Sequence, residues 1–273
     1  KYYLRVDKGW YIRRGAKKQI VDRLAKLAYY VHEDDVLKLP PIRHYVKACP
    51  MTGVQRRMYE KVLTEWEVQL RNGDTFDVDH TIVQLSKLKQ IASGFIYDQE
   101  KKAHYIKSRK LKLLMSLLHD NDELGRKKKV VVWASHTAEI EAILCEAKKQ
   151  GIRSVGFYGS NRRKKLEARK RFRDYADIRL FVGQVDSGVG MNELIVADTA
   201  VYYSNSFKVV SRQQSLRRIR RKGTRAKVIT YIDLVTEKTV DRHVLQSVET
   251  KMALASFILD AIKRGVPIRS LLT

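Results

Sequence analysis

Val130-Val131-Val132-Trp133-Ala134 is followed by the polar turn Ser135-His136-Thr137 and then by a segment whose Ile140, Ile143, Leu144 and Ala147 recur at helical spacing. The first run is short, β-branched and not alternating, the pattern of a strand covered on both faces. The same strand-then-helix unit recurs around it. Leu111, Leu114, Met115 and Leu118 predict a helix just before. Downstream come a short strand near residues 154–158, a very basic helix over 162–175 and a strand over 178–182. A glycine loop, a strand over 199–203, the basic stretch 211–223, a strand over 227–234 and a long helix from Val240 to about Arg264 complete the series. Strands separated by helices predict an α/β fold, a parallel sheet with helices on both faces.

The region before residue 107 reads as mostly helical. Ile20, Leu24, Leu27 and Val31 give residues 15–32 an amphipathic helix, and two more fall at 53–71 and 79–93, separated by Arg71-Asn72-Gly73-Asp74. Residues 42–50 read as a strand, with Ile42, His44, Val46 and Ala48 on one face. Residues 94–106 read as a short hairpin around D-Q-E-K-K. The chain therefore divides into a linking segment, 1–106, and an α/β lobe, 107–273. It opens mid-pattern at Lys1, which points to a piece of a longer protein.

The composition bounds the partners. The 273 residues carry 55 Lys and Arg against 30 Asp and Glu, a net charge of +25. Such an excess calls for a polyanion, most simply nucleic acid; an anionic membrane surface is the rival, but no long amphipathic basic helix dominates. No apolar run approaches the roughly 18–20 residues of a transmembrane helix. Cys49 and Cys145 are the only cysteines and lack metal or redox spacing, which excludes a zinc module and fits a reducing, intracellular setting. Cys145, inside an apolar helical pattern, is expected in the core.

In open parallel sheets, ligands sit beyond the carboxyl ends of the strands. Three loops there carry polar residues. In Ser135-His136-Thr137, Thr137 is expected to cap the next helix, and the same turn offers backbone N–H groups to a phosphate. Tyr158-Gly159-Ser160-Asn161 leads into R-R-K-K-L-E-A-R-K-R-F-R, eight of whose 12 residues are basic. That face would repel itself unless an anion compensates, so Gly159, Ser160, Arg162, Arg163 and Lys165 are candidate nucleic-acid contacts, with Ser135 and His136. The third loop, residues 184–192, places Gly188 and Gly190 where backbone can approach a phosphate closely. The stretch S-R-Q-Q-S-L-R-R-I-R-R-K-G (211–223), placed on a helix, puts Gln214, Arg218 and Arg221 at i, i+4 and i+7 on one face, with Leu216 and Ile219 opposite. Arginine there suits phosphate, because its planar fork matches phosphate oxygens and keeps its charge. The chain contains no G-x-x-x-x-G-K-[ST] loop and no acidic box after a strand, so it could not cradle an ATP triphosphate and its magnesium unaided. A glycine turn, an arginine stripe and no phosphate loop describe half of a two-lobed motor.

In this order the segments resemble the C-terminal part of a Swi/Snf-type superfamily-two helicase-like ATPase, and the resemblance covers most of the chain. V-V-V-W-A-S-H (130–136) resembles the family's fourth motif, and F-Y-G-S-N (157–161) the turn that follows it. Residues 184–203 resemble the fifth motif and its strand, with Gly188, Gly190, Asn192 and Asp198 matching. Q-S-L-R-R-I-R-R-K-G (214–223) resembles the sixth motif, Q-x-x-x-R-x-x-R-x-G. L-P-P-I-R-H-Y-V (39–46) with Q-R-R-M-Y (55–59) is similar to the region joining the two lobes, and S-N-S-F (204–207) to phage and bacterial forms. The chain departs from the family at Ser211, Arg220 and Lys222-Gly223-Thr224.

The resemblance implies a second RecA-like lobe. It implies Arg218 and Arg221 as catalytic arginines facing ATP. Gln214, Gly188, Gly190 and Asn192 would line the nucleotide cleft, and Ser135, Gly159 and Ser160 would meet the DNA backbone. It implies three partners: double-stranded DNA, ATP, and an N-terminal RecA-like lobe of the same protein that holds the magnesium. The fragment alone would be inactive. Two other readings stand beside this one, a non-enzymatic basic nucleic-acid-binding module and the second lobe of an RNA helicase. A nuclease or methyltransferase accessory domain finds no catalytic carboxylate cluster to support it.

Overall fold

The computed structural model describes residues 3–6, 9–13, 15–25, 36–71, 78–119, 128–187, 191–250, 258, 261–262, 264 and 266–272. The chain forms two compact units, residues 1–39 and 40–273. The first holds an antiparallel pair, β1 (Tyr3–Val6) with β2 (Gly9–Ile12), and a helix, α1 (Ala16–Ala25). The helix expected over 15–32 is described as far as Ala25; residues 26–32 lie outside the described residues.

The second unit begins with β3 (Ile42–Cys49), α2 (Gly53–Arg71), α3 (Val78–Ser93), β4 (Phe95–Tyr97), β5 (Ala103–Tyr105) and α4 (Arg109–His119). It continues with β6 (Val130–Ala134), α5 (Thr137–Lys149), β7 (Ser154–Phe157), α6 (Arg162–Asp174) and β8 (Leu180–Gln184). Two short 3₁₀ turns, Val185–Ser187 and Glu193–Val196, precede β9 (Thr199–Tyr202). Then come α7 (Val209–Leu216), β10 (Ile229–Thr236), α8 (Val240–Thr250) and α9 (Ile268–Leu272).

Six strands form one sheet in the order β3-β10-β9-β6-β8-β7, and every pairing is parallel. This is the α/β arrangement expected. Side chains alternate between its faces. Val130, Val132, Leu180, Val182, Val201, Ile232 and Leu234 join α4 and α5 in one core. Val131, Trp133, Phe181, Ala200, Tyr202, Ile229 and Tyr231 join Ala168 and Phe172 of α6 in another. Runs such as V-V-V-W-A do not alternate because both faces are buried. A third core joins α2 and α3 to α8 and α9 through Tyr59, Leu63, Trp66, Leu85, Leu88, Val240, Val244, Ile268 and Leu272. A buried ion pair, Lys110 Nζ to Asp241 at 2.5 Å, ties α4 to α8. Residues 40–106 thus contribute the edge strand β3, the antiparallel pair β4–β5 and two helices beside the sheet.

Several expectations are corrected. The strands predicted at 178–182 and 227–234 begin two residues later. At the first, the Lys129 ammonium takes the carbonyls of Tyr175 (2.7 Å) and Ile178 (3.0 Å) before the ladder can start. The helix expected over 211–223 ends at Leu216. The hydroxyl of Tyr231, on β10, donates to the Leu216 carbonyl at 2.6 Å and so ties the end of the helix to the sheet. Arg218 N–H then closes a tight turn on Ser215 O at 3.1 Å. The long final helix is described to Thr250, and residues 251–257 lie outside the described residues. Cys145 is exposed and Cys49 buried, the reverse of a core role for Cys145. The residue at the N-cap of α5 is His136, not Thr137. No helix among the described residues is long and apolar enough to cross a membrane.

Candidate functional site

The parallel sheet sends the loops after β6, β7, β8 and β9 out from one edge, and most of the candidate residues lie there. Ser135 follows β6 directly. Its N–H donates to Glu139 Oε2 at 2.8 Å and to Ser204 Oγ at 2.9 Å; the His136 N–H donates to the same Glu139 oxygen at 2.9 Å. Glu139 thus reaches back from the first turn of α5 to satisfy donors at its own N-terminus. The Ser204 hydroxyl adds a third bond to Glu139 Oε2, at 2.7 Å. Burial alone would raise the pKa of Glu139, but hydrogen bonding to His136, its charge and that of Lys89 outweigh burial and hold the carboxyl far below the usual range. The Gln184 carboxamide, at the end of β8, donates to the Ser135 carbonyl at 3.3 Å.

Lys89 was not singled out by sequence reasoning. It lies on α3, fully buried, and its ammonium donates to Ser135 Oγ at 2.8 Å while sitting 5.1 Å from the centre of the Phe207 ring. Burial pushes its pKa down to about 8, against the pull of Glu139 and Asp241. The signal was a lysine inside the inward stripe Leu85, Leu88, Ala92, where a solvated side chain has no place.

After β7, Gly159 adopts φ +74°, a left-handed conformation that a side chain would strain, and turns the chain into α6. Asn161 caps that helix by accepting from Lys164 N–H at 3.0 Å. Gly159, Ser160, Arg162 and Arg163 are exposed; the Lys165 ammonium lies 5.3 Å from the centre of the Phe157 ring. These residues form a continuous basic turn and helix start.

The arginine turn packs through Ile219 on the face of the sheet covered by α6 and meets the loop after β8. Arg221 Nη1 donates to Asn192 Oδ1 at 2.5 Å, which joins a residue from the sixth-motif segment to one from the fifth. Arg169, on α6, grips Glu193 with a fork of bonds at 2.7–2.9 Å. Arg218 is half-buried and its Nε, shielded from solvent, has no hydrogen-bond partner among the described residues. Burial, with the like charges of Arg221 and Arg169, pulls the Arg218 pKa down. Three guanidinium groups therefore converge where one carboxylate, Glu193, is paired, and an anion would relieve the repulsion. Gly223 at φ +97° closes the turn, and buried Ile219 anchors it in the core. Gln214, on α7, is exposed, and Gly188 and Gly190 lie outside the described residues.

A second group missed in the sequence holds this region in place. Arg212, buried on α7, stacks its guanidinium 3.4 Å from the centre of the Tyr202 ring and binds Asp233 of β10. Asn205 donates to Asp233 Oδ1 at 2.7 Å, and His44 of β3 contacts Oδ2 at 2.5 Å. Burial would raise the Asp233 pKa, but His44, Arg212 and Asn205 together lower it. An arginine amid many in 211–223 carried no sequence signal for burial.

No protein-family model matches the chain, and no curated protein does. Solved structures do match. The chain is similar to the C-terminal part of the Fun30 ATPase domain over 83% of its own length and 99% of the other, with 13% identity and a TM-score of 0.60. It is similar to the Sulfolobus solfataricus SWI2/SNF2 ATPase C-terminal domain over 82% and 96%, with 14% identity and a TM-score of 0.60. Against the Sulfolobus solfataricus SWI2/SNF2 ATPase core in complex with double-stranded DNA, 94% of this chain spans 54% of the other, with 17% identity and a TM-score of 0.63. The chain has the fold of the C-terminal lobe of these ATPases.

Proposed function

We propose that this chain is the second motor lobe of an ATP-dependent double-stranded DNA translocase, with residues 1–106 as its linking segment and 107–273 as the lobe proper. The observation that carries this reading is the convergence of Arg218, Arg221 and Arg169 beside Asn192 and Glu193, on a fold shared with SWI2/SNF2 ATPase lobes. In it, Arg218 and Arg221 meet the phosphates of ATP held by a separate N-terminal lobe of the same protein. The same reading assigns Gln214, Asn192, Gly188 and Gly190 to nucleotide binding, and the magnesium to that other lobe. The unpartnered Arg218 Nε and the surplus of positive charge fit a polyphosphate. Arginine charge presented from a second lobe stabilises negative charge on the transferring phosphoryl group and makes hydrolysis depend on closure.

The carboxyl edge serves DNA in this reading. Ser135 offers its hydroxyl beside His136, since the backbone N–H groups of both are held by Glu139 and Ser204, and exposed Gly159, Ser160, Arg162 and Arg163, with half-buried Lys165, add a basic turn. One solved neighbour is a SWI2/SNF2 core holding double-stranded DNA. The setting remains intracellular on cysteine usage alone. The test is DNA-stimulated ATP hydrolysis by the intact protein compared with this chain alone, where none is expected. Turnover by this chain alone ends the two-lobe reading. Competition between duplex DNA and duplex RNA separates the RNA-helicase rival. A non-enzymatic binding module predicts that substituting Arg218 matters no more than substituting its neighbour Arg217.

A further inference from the structure

We propose that Lys89 is a positioning residue for Ser135, whose hydroxyl it fixes as a hydrogen-bond donor toward a nucleic-acid phosphate. This rests on the reading of Ser135 as a backbone contact. It goes beyond that reading by naming, in the segment before the α/β lobe, the group that makes Ser135 competent.

The argument is an accounting of hydrogens around one oxygen. Ser135 Oγ accepts from the Lys89 ammonium at 2.8 Å. The neighbouring Ser204 hydroxyl has one hydrogen, and its 2.7 Å approach to the Glu139 carboxylate is shorter than its 3.1 Å approach to Ser135. That leaves the Ser135 hydroxyl with its own hydrogen to give. The internal acceptors facing it are Ser204 Oγ at 3.1 Å, which already accepts the Ser135 N–H, and the Ser204 carbonyl at 3.4 Å, both long for an O–H···O bond. Ser135 is half-buried at the carboxyl edge, so the hydrogen can turn from these long contacts to a ligand that offers a better acceptor. A phosphate oxygen accepts and never donates, so an ammonium beneath the serine selects the polarity that phosphate needs. A neutral amine at the same place could accept the serine hydrogen and turn it inward.

Lys89 is placed to couple segments as well. It comes from α3, whereas Ser135 ends β6 and Phe207 begins the approach to α7. The charges that act on it come from every side: Glu139 on α5, Asp241 on α8, Lys110 on α4 and Asp186 in the turn after β8. Burial brings its titration to about pH 8, within reach of a binding assay.

The experiment measures the affinity of this chain for a short fluorescent DNA duplex at constant ionic strength from pH 7 to 9.5. Wild type, Lys89→Met, Ser135→Ala and the double variant are compared, with folding checked by circular dichroism. The wild type is expected to weaken by about fivefold or more across that range, a typical loss for one hydrogen bond. Ser135→Ala is expected to bind weakly and without that pH response. Lys89→Met should weaken the wild type by a similar factor and the Ser135→Ala chain by less than about twofold, since neighbours acting through one contact are not additive. Equal losses from Lys89→Met in both backgrounds, or a wild-type affinity constant with pH, overturn the proposal. If Lys89→Met does not fold, the comparison of wild type with Ser135→Ala decides it, because an unchanged pH response in Ser135→Ala overturns it equally. Failure of the wild-type chain to bind duplex DNA even at low salt is a different result. It removes the reading of this edge as a DNA surface, and the proposal with it.

Discussion

Arg212 holds Asp233 with both arms of its guanidinium, Nη1 on Oδ1 at 2.8 Å and Nη2 on Oδ2 at 2.7 Å, and both side chains are buried. A pair of this kind stabilises little over an apolar substitute, but removing one partner leaves the other charge stranded. Arg212→Met or Asp233→Asn is expected to destabilise the chain by about 3–5 kcal/mol. Urea unfolding checks this, with the midpoint falling and the slope unchanged. Since Arg212 precedes the arginine turn by six residues, the same variants should also reduce ATP turnover in the intact protein at temperatures where it remains folded.

The acid limb of stability follows from two carboxylates. Glu139 and Asp233 both have folded pKa values below their ordinary ones. Each therefore binds fewer protons folded than unfolded, and its contribution is fully present above the unfolded value and lost as pH falls. The contribution of these two groups should be level from neutral pH down to roughly pH 5 and decline steadily below it, on top of a smaller loss that begins near neutral pH because burial, with the charge of Arg242, holds His243 below its usual pKa. Urea midpoints between pH 7 and 2.5 measure this. A chain that stays equally stable to pH 3 contradicts it. In Glu139→Gln the overall stability should be lower and the decline shallower.

Arg221→Ala is expected to lower ATP turnover of the intact protein by about 10³-fold or more, the effect of losing an arginine finger. Its affinity for DNA should change by less than about threefold, because Arg221 is held on Asn192 and is not one of the exposed residues that open α6. Asn192→Ala, which removes the 2.5 Å partner of Arg221, should show a smaller loss of the same kind. Matching losses of turnover and DNA affinity would favour the simple basic-module reading.

Duplex DNA binding by this chain should fall steeply with salt. If Arg162 and Arg163 each neutralise one phosphate, replacing both by alanine lowers the slope of log affinity against log salt by about 2. Titrations from low to physiological salt give that slope. An unchanged slope removes these two residues from the interface.

In the native chain one thiol, Cys145, should react with a soluble disulfide reagent, and denaturation should expose the second. Cys49 is buried, and burial raises its thiol pKa, so it combines poor access with a low thiolate fraction. Two thiols reacting at equal rates under native conditions contradict the burial described here.

The sheet was legible because its strands announce themselves chemically. V-V-V-W-A and the apolar runs of β8 and β9 carry no alternation, and a covered parallel sheet is where such runs belong. Cys145 shows how phase outranks hydrophobicity. Ile143 points inward, and two residues later the helix has turned about 200°, which brings Cys145 to solvent. Lys89 could have been found from the apolar stripe around it, whereas Arg212 was hidden for another reason: it looks like an ordinary cation among many, and its partner Asp233 lies on another strand. The 211–223 stretch was misread as one helix because local spacing cannot show a tyrosine arriving from another strand.

That tyrosine governs how the arginines should be probed. With Tyr231 holding the Leu216 carbonyl, Arg218 and Arg221 take their places from strand β10 and from Ile219 beneath them, not from the rotation of a helix. The i, i+4, i+7 spacing of the motif is then a record of contour length along a bend. Substitutions that raise helix propensity, such as Gly223→Ala, would push against this bend rather than reinforce it. Removing a single phenolic oxygen at Tyr231→Phe would untie the end of α7 from β10 and loosen the segment that brings Arg221 to Asn192, without altering either arginine.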